Sequence, residues 1–132
     1  MKTASLGLVV LAVTMGLVGC NESAAPTSQV KRIAVSKLEA AATVAAGAPL
    51  DVVLTVEIGG CATFDHISES RSGSQIDLKA WGVVPDSPCA TLMNLKLEPH
   101  AYRLEPPFPT TFTIVVQPIQ FGILLTRAVQ VQ

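Results

Sequence analysis

The sequence predicts an all-β fold, an antiparallel β-sandwich of about seven or eight short strands. The clearest strand is Leu50–Ile58, where buried-type and polar side chains alternate with the two-residue period of a half-buried strand. Turn-forming residues recur about every eight to twelve positions, a spacing typical of sandwiches. One such turn, at residues 71–74 (RSGS), separates two strand-like runs and predicts a β-hairpin.

The domain is expected to begin at Val30. Residues 37–46 (KLEAAATVAA) are ambiguous, because their alanines favour a helix that Gly47 could end. Thr43-Val44 favours a strand instead, and the break at Gly47-Ala48-Pro49 directly precedes the clear strand. We therefore expect an edge strand in this segment.

The hairpin is expected to join strands at residues 62–69 and 75–84. If Ser72-Gly73 forms a two-residue loop, Phe64 pairs with Trp81, which is a sensible cross-strand contact. The same register brings the chain that follows residue 84 back toward residue 61.

Further strands are expected at residues 91–97, 101–104, 111–117, 119–125 and 127–131. Glu98-Pro99-His100 should interrupt the first two of them, with His100 solvated in a turn. Residues 105–109 (EPPFP) should form an extended connection, because proline has no amide donor to contribute to a sheet.

Composition excludes nucleic acid as a partner. The chain has nine Lys and Arg against ten Asp and Glu, a net charge of −1, so no basic surface is available for a phosphate backbone. Beyond the N-terminal leader, no apolar run approaches the roughly twenty residues of a membrane-spanning helix. Membrane contact is therefore expected only through the N-terminal region.

The N-terminal residues resemble a bacterial lipoprotein signal. Lys2 precedes a short apolar run, which ends in Leu17-Val18-Gly19-Cys20. These four residues resemble the lipobox of that family. The resemblance implies that Cys20 receives a diacylglyceryl group, that cleavage precedes it, and that its amino group is acylated as well, for example by palmitate. The alternative is a plain signal peptide followed by a chance cysteine.

This resemblance implies three regions: a signal peptide at 1–19, a lipidated cysteine and flexible tether at 20–29, and a β-sandwich domain at 30–132. The protein would be lipid-anchored in the cell membrane or outer membrane, with its domain facing the periplasm or the cell exterior. In enteric bacteria, an aspartate directly after the lipidated cysteine resembles an inner-membrane retention signal. This chain has Asn21 at that position, which favours the outer membrane if the source has one.

With Cys20 assigned to lipid, Cys61 and Cys89 remain as an even pair in an oxidising compartment. A disulfide is the expected state, and the hairpin register supports it. Two reduced thiols, or a metal site with histidine, are the alternatives, although the spacing matches no zinc pattern.

Residues 44–47 (VAAG), with the apolar strand that follows them, resemble the first strands of bacterial immunoglobulin-like domains. The resemblance covers about residues 30–60 and implies an immunoglobulin-like sandwich. One departure concerns the cysteines, which lie only 28 positions apart, with Trp81 close to the second. Such a bridge would hold one end of a hairpin rather than join the two sheets.

No catalytic set is recognisable, so we expect neither an enzyme, nor a cofactor, nor a metal, nor a small-molecule substrate. Asp65, His66 and Ser68 suggest a triad, but neighbours on a strand point to opposite faces, so Asp65 should be unable to orient His66. The sequence has no GxSxG elbow. Asp65, Glu69 and Asp77 could assist a metal ion only in principle.

Three surfaces could bind a partner. Asp86 lies on the loop at residues 85–90, which the expected disulfide would stiffen. Phe108 lies in the proline-rich connection, where it either meets a partner or packs into the core. Residues 121–125 (FGILL) form either a buried strand, which is the favoured interpretation, or an interface edge.

We therefore expect a lipid-anchored binding or structural module of the cell envelope, acting on an unknown envelope protein. The alternatives are an inhibitor or chaperone of a secreted enzyme, and a small envelope hydrolase.

Overall fold

The computed structural model describes residues 27–86 and 94–132, which form nine strands in two sheets and contain no helix. The strands are β1 (Ser28–Arg32), β2 (Ala34–Ala40), β3 (Thr43–Val44), β4 (Leu50–Ile58), β5 (Thr63–Ser72), β6 (Gln75–Pro85), β7 (Lys96–Leu104), β8 (Thr111–Val116) and β9 (Leu125–Val131). The predicted all-β sandwich is confirmed.

The larger sheet has the order β1-β6-β8-β9-β3, with β5 also paired to β6, and the smaller sheet has the order β2-β4-β7. Most pairs are antiparallel, but β6 with β8 and β3 with β9 are parallel, which the expectation of a purely antiparallel sandwich did not include. The reason is visible at β7. The chain leaves the larger sheet after β6, passes through the smaller sheet and returns in its original direction.

The core lies between the inward faces of the two sheets. Alternate residues of β4 are buried, as its period predicts, and β6 follows the same pattern at its start, while β8 ends in three consecutive buried residues. The largest fully buried side chains are Phe112, Leu54, Leu78, Leu104, Ile114, Val52, Val56 and Val129.

The chain changes sheets between β1 and β2. β1 begins at Ser28, two residues before the expected domain start, so Ser28 and Gln29 belong to the larger sheet rather than to the tether. Ile33 lies at the crossing, where its amide donates to the Ala80 carbonyl at 3.0 Å. The ambiguous segment 37–46 contains the end of β2 and all of β3, so the strand interpretation is confirmed.

The hairpin forms, but the predicted register is wrong. Ser72 pairs with Gln75, so the loop is Gly73-Ser74, and Phe64 pairs with Gly82 instead of Trp81. Gly73 adopts φ of 57°, a conformation that glycine supplies without a steric penalty at the first loop position of a hairpin turn.

The expected break at Glu98-Pro99-His100 is also wrong, because all three residues lie within β7. Pro99 pairs with Thr55, and β7 is an edge strand of the smaller sheet. A proline is tolerated there because one side of an edge strand makes no hydrogen bonds to a neighbouring strand, so the missing amide donor costs none. Of the strand expected at 91–97, residues 91–93 lie outside the described part of the chain.

The two ends of the sandwich can be told apart by the direction of β6. At one end, called the N-terminal end here, Pro85 pairs with Ser28 where the described chain begins. At the other, called the distal end, lie the Gly73-Ser74 loop and the connection at residues 105–110. At about 3.3 Å per residue, β6 separates these ends by about 33 Å.

Candidate functional site

Asp86 lies at the N-terminal end and secures the start of β1. Its amide donates to the Thr27 carbonyl at 3.0 Å, and its carboxylate accepts a hydrogen bond from the Thr27 hydroxyl. The side chain is exposed, yet it already serves the packing of the first strand. Any partner that binds Asp86 would therefore meet a residue with a structural role.

The expected disulfide lies partly outside the described residues. Cys61 lies in the turn between β4 and β5, where the Ala62 amide donates to the Gly59 carbonyl at 3.3 Å. Cys89 belongs to residues 87–93, which the structure does not describe, so the pairing stays a prediction. Cys20 and the rest of residues 1–26 likewise lie outside the described chain.

Phe108 lies at the distal end and is half-buried. Its ring stacks on Phe112, with 4.8 Å between ring centroids, and it packs against the main core. Of the two interpretations of Phe108, the geometry supports core packing.

Arg71 holds the proline-rich connection in place. Its Nη1 donates to the Pro107 carbonyl at 2.9 Å and its Nη2 to the Glu105 carbonyl at 2.7 Å. The guanidinium carbon also lies 5.4 Å from the centroid of the Phe108 ring, within range of a cation–π contact. The backbone of residues 105–107 is therefore fixed from one side by a single side chain.

A second layer of contacts orients Arg71. Its Nε donates to Glu69 Oε1 at 2.6 Å, and Tyr102 Oη donates to Glu69 Oε2 at 2.9 Å. Sequence reasoning missed this network because it placed Arg71 in the turn. Glu69 and Arg71 stand two positions apart, the spacing of neighbours on one face of a strand, and that spacing was the available signal.

The pKa values of Tyr102 and Asp51 are each shifted by neighbouring groups. Burial, followed by the hydrogen bond to Glu69, raises the pKa of Tyr102 above its ordinary value of 10.0. On the outer face of the smaller sheet, a hydrogen bond from Arg103 lowers the pKa of Asp51. The Arg103 Nε lies 2.8 Å from Asp51 Oδ1 across the β4–β7 ladder.

The Asp65–His66 geometry contradicts the expectation from strand alternation. Asp65 Oδ2 lies 2.6 Å from His66 Nδ1. The β5–β6 register shifts between Phe64 and His66, and an extra residue of this kind changes the alternation of side chains. The sequence did not reveal the bulge, so the pair was wrongly excluded.

This pair does not extend to Ser68 as a triad would. The Ser68 hydroxyl oxygen accepts a hydrogen bond from the Trp81 indole at 2.7 Å, and the His66 ring stacks on Trp81 with centroids 6.0 Å apart. His66 is thus packed on the outer surface of the hairpin, beside a serine that already has a partner.

His100 is not in a solvated turn. Its ring stacks on Phe64 with a centroid distance of 3.6 Å, and its Nε2 lies 3.4 Å from Glu98 Oε2. Among the described residues, no group of three or more His, Cys, Asp and Glu side chains converges on a position for a metal ion.

The predicted strand at residues 119–125 is wrong, because only Leu125 belongs to one. Residues 117–124 form the loop between β8 and β9, called the apolar loop here. Phe121 is fully exposed and Ile123 is 82% exposed, while Ile119 and Leu124 are partly exposed. The expectation that residues 121–125 are buried is therefore wrong as well.

A groove of about 600 Å³ separates the apolar loop from β2. Ala34, Val35 and Ser36 line its far wall. Arg32 fixes the base of the loop, since its Nη2 donates to the Gln117 carbonyl at 2.9 Å.

Comparison of the chain with protein-family profiles, with curated proteins and with solved structures finds no match in any of the three. Within residues 27–86 and 94–132, no helix has the length and apolar character required to cross a membrane.

Proposed function

We propose that this chain is a lipid-anchored, non-catalytic module of the bacterial cell envelope that binds a protein partner through its distal end. The leader and Leu17-Val18-Gly19-Cys20 support the anchor, because they resemble a lipoprotein signal. Placement in the cell membrane or outer membrane follows from the same resemblance. An immunoglobulin-like relationship, suggested by residues 44–47 and the strand after them, belongs to this proposal too.

The orientation of the domain supports the choice of the distal end. A lipid on Cys20 would hold Thr27 through an intervening chain of about 25 Å at most. Since Thr27 lies at the N-terminal end of the sandwich, the proline-rich connection would face away from the bilayer, toward any partner in the surrounding compartment.

The observation that carries the proposal is the pair of hydrogen bonds from Arg71 to the carbonyls of Glu105 and Pro107. A connection that is already ordered loses less entropy when it binds. Phe108 faces the core, so the exposed residues Glu105, Pro107 and Pro109 would meet the partner.

The anchor is tested by replacing Cys20 with serine. We expect radiolabelled palmitate to enter the unaltered chain, and the Cys20→Ser variant to lose the label and either leave the membrane fraction or persist as an uncleaved precursor. Equal labelling of both chains would refute the anchor.

The binding surface is tested by photo-crosslinking in intact envelopes. A photoreactive amino acid replaces Pro109 at the distal end in one variant and Asp86 at the N-terminal end in the matched control. We expect a defined adduct from position 109 only. An adduct from position 86 alone would move the partner site to the N-terminal end.

Two alternatives have distinct outcomes. If the trapped partner is a secreted enzyme that loses activity on binding, or needs the module to fold, the module is its inhibitor or chaperone. The 2.6 Å contact between Asp65 and His66 is what favours the hydrolase alternative. Covalent labelling of Ser68 by a serine-hydrolase probe, abolished by His66→Gln, would support that function over ours.

A further inference from the structure

The apolar loop has the composition of a membrane-contacting segment and the exposure to match. Phe121 is fully exposed, and Ile119, Ile123 and Leu124 are 43%, 82% and 50% exposed. Exposed apolar residues are ordinary when they are scattered, but four within six positions form a contiguous patch, which marks an interaction surface.

The loop has a defined shape that presents these residues outward. A Cβ atom at Gly122 would lie 2.8 Å from Pro118 Cβ, so the two limbs of the loop approach closely there. Phe121 and Ile123 flank this point of closure. Their exposed fractions show that the described part of the domain does not cover them.

The loop is directed toward the N-terminal end. β8 runs parallel to β6, so the chain that leaves Val116 continues toward the end where Pro85 pairs with Ser28. The hydrogen bond from Arg32 to the Gln117 carbonyl joins the base of the loop to β1, the strand that follows the tether.

β1, whose Arg32 contacts the base of the loop, carries an exposed apolar side chain and a positive charge. Val30 is 54% exposed on one face of the strand, and Lys31 is exposed on the other. Apolar side chains flanked by cations are the composition of surfaces that enter the boundary between headgroups and acyl chains of anionic membranes.

We propose that the apolar loop inserts into the phospholipid bilayer that holds the anchor, with Phe121 and Ile123 at the greatest depth. The proposal rests on the lipid anchor of the proposed function, because the short chain between Cys20 and Thr27 keeps Thr27 within about 25 Å of the headgroups, and the apolar loop continues from β8 toward that end. The loop then fixes how the domain is oriented, and the distal end projects into solution.

The test places a tryptophan in the loop of the full chain. Phe121→Trp is compared with Ser74→Trp, a matched control because Ser74 is exposed in the loop at the distal end, the end that would face away from the bilayer. Trp81 is the only native tryptophan, so the unaltered chain gives the baseline. Each chain is processed in a bacterial host and reconstituted into phosphatidylethanolamine–phosphatidylglycerol vesicles with brominated acyl chains.

We expect the bromine atoms to quench most of the added fluorescence from position 121 and little of that from position 74. Equal quenching at both positions indicates nonspecific adsorption and overturns the proposal. A blue shift at position 121 without quenching indicates contact with a second protein copy, which also overturns it.

The experiment can refute the lipid anchor and the loop insertion independently of each other. A chain that floats with the vesicles but shows no quenching at position 121 retains the anchor and refutes insertion. If the purified chain carries no covalent lipid on Cys20, it is mixed with the same vesicles without reconstitution. Quenching at position 121 alone then upholds insertion and refutes the anchor, whereas no quenching refutes both.

Discussion

At the scale of single residues, Gly82 is one of two described glycines at which an added Cβ atom would lie closer than 3.0 Å to another atom. A Cβ atom there would lie 2.8 Å from Ile33 Cγ2 and 2.9 Å from the Thr63 carbonyl oxygen. Ile33 could shift, but Thr63 belongs to the backbone of β5, which is paired with β6 at this point. The chain crosses between the sheets at Ile33, so this close approach joins the two layers.

Gly82→Ala should therefore lower the free energy of unfolding by about 1–3 kcal/mol, the usual cost of an added methyl group in a packed interior. Gly59→Ala is the matched control, since its nearest neighbour would be Leu95 Cδ1 at 4.0 Å. Urea denaturation of both variants measures the difference. If the two variants are equally stable, the backbone around residue 63 can shift at little cost in free energy.

Tyr102 makes the network at the distal end sensitive to alkaline pH. Its pKa is raised in the folded chain by burial and by Glu69, so folding favours the neutral phenol. The stabilisation is fully present below pH 10.0, the ordinary pKa, and is lost as the pH rises from there through the folded pKa.

We expect the unfolding midpoint to fall more steeply above pH 10.0 in the unaltered chain than in Tyr102→Phe. Tyr102 is the only tyrosine, so the near-ultraviolet absorbance of the phenolate reports its titration directly. A titration midpoint at or below the ordinary value in the folded chain would contradict this expectation.

At the scale of elements, the alternation of apolar and polar residues predicted the strands that have one buried face. It did not predict features that depend on contacts with other parts of the chain. β4 was predicted with its boundaries because Val52, Leu54, Val56 and Ile58 all face the core. The hairpin was predicted as an element, but its register was not. Both Ser72-Gly73 and Gly73-Ser74 are acceptable loops, and contacts outside the hairpin select between them.

The candidate site was less predictable than the fold. The Arg71 network joins residues that lie more than thirty positions apart in sequence, and no local pattern brings them together. The apolar loop was wrongly predicted to be a buried strand for a different reason. Its composition is that of a buried strand, and composition alone does not distinguish apolar residues that face the core from apolar residues that face a partner.

Two isoleucines close together in sequence test this distinction. Ile114 in β8 is fully buried, whereas Ile123 in the apolar loop is 82% exposed. We expect Ile114→Ala to cost about 2–5 kcal/mol of unfolding free energy, because it leaves a cavity between the sheets. Ile123→Ala should change it by less than about 0.5 kcal/mol.

Denaturant unfolding of the two variants, in the absence of membranes, measures both values. A large loss of stability for Ile123→Ala would mean that the apolar loop packs on the domain after all. That result would restore the buried-strand interpretation of residues 121–125.

At the scale of the whole molecule, the two ends of the sandwich differ in what they could do. The N-terminal end contains Thr27 and the turn with Cys61, and the apolar loop continues from β8 toward this end, so these features are suited to attachment. The distal end presents a connection that Arg71 holds in one conformation. The direction of β6 separates these surfaces, so one domain can attach at one end and bind at the other.

The proposed Cys61–Cys89 bridge would reinforce the N-terminal end. It would tie the β4–β5 turn to the connection between β6 and β7, and so hold together the open end of the β5–β6 hairpin near the site of attachment. In the chain-entropy account, closing a loop of this length stabilises the folded state by about 3.5 kcal/mol. Both clusters of buried residues between the sheets form without Cys61, so the fold should survive the loss of the bridge.

We therefore expect a reductant to lower the unfolding midpoint of the unaltered chain while its β-sheet circular dichroism persists. The chain carrying both Cys61→Ala and Cys89→Ala is the control, since it should start at the lower midpoint and be insensitive to the reductant. Cys20 is present in both chains, so its own chemistry cancels in the comparison. If the reductant leaves the unaltered chain's midpoint unchanged, or if mass spectrometry of periplasmically exported protein finds both thiols reduced, the attachment end must be held by the β-sheet alone.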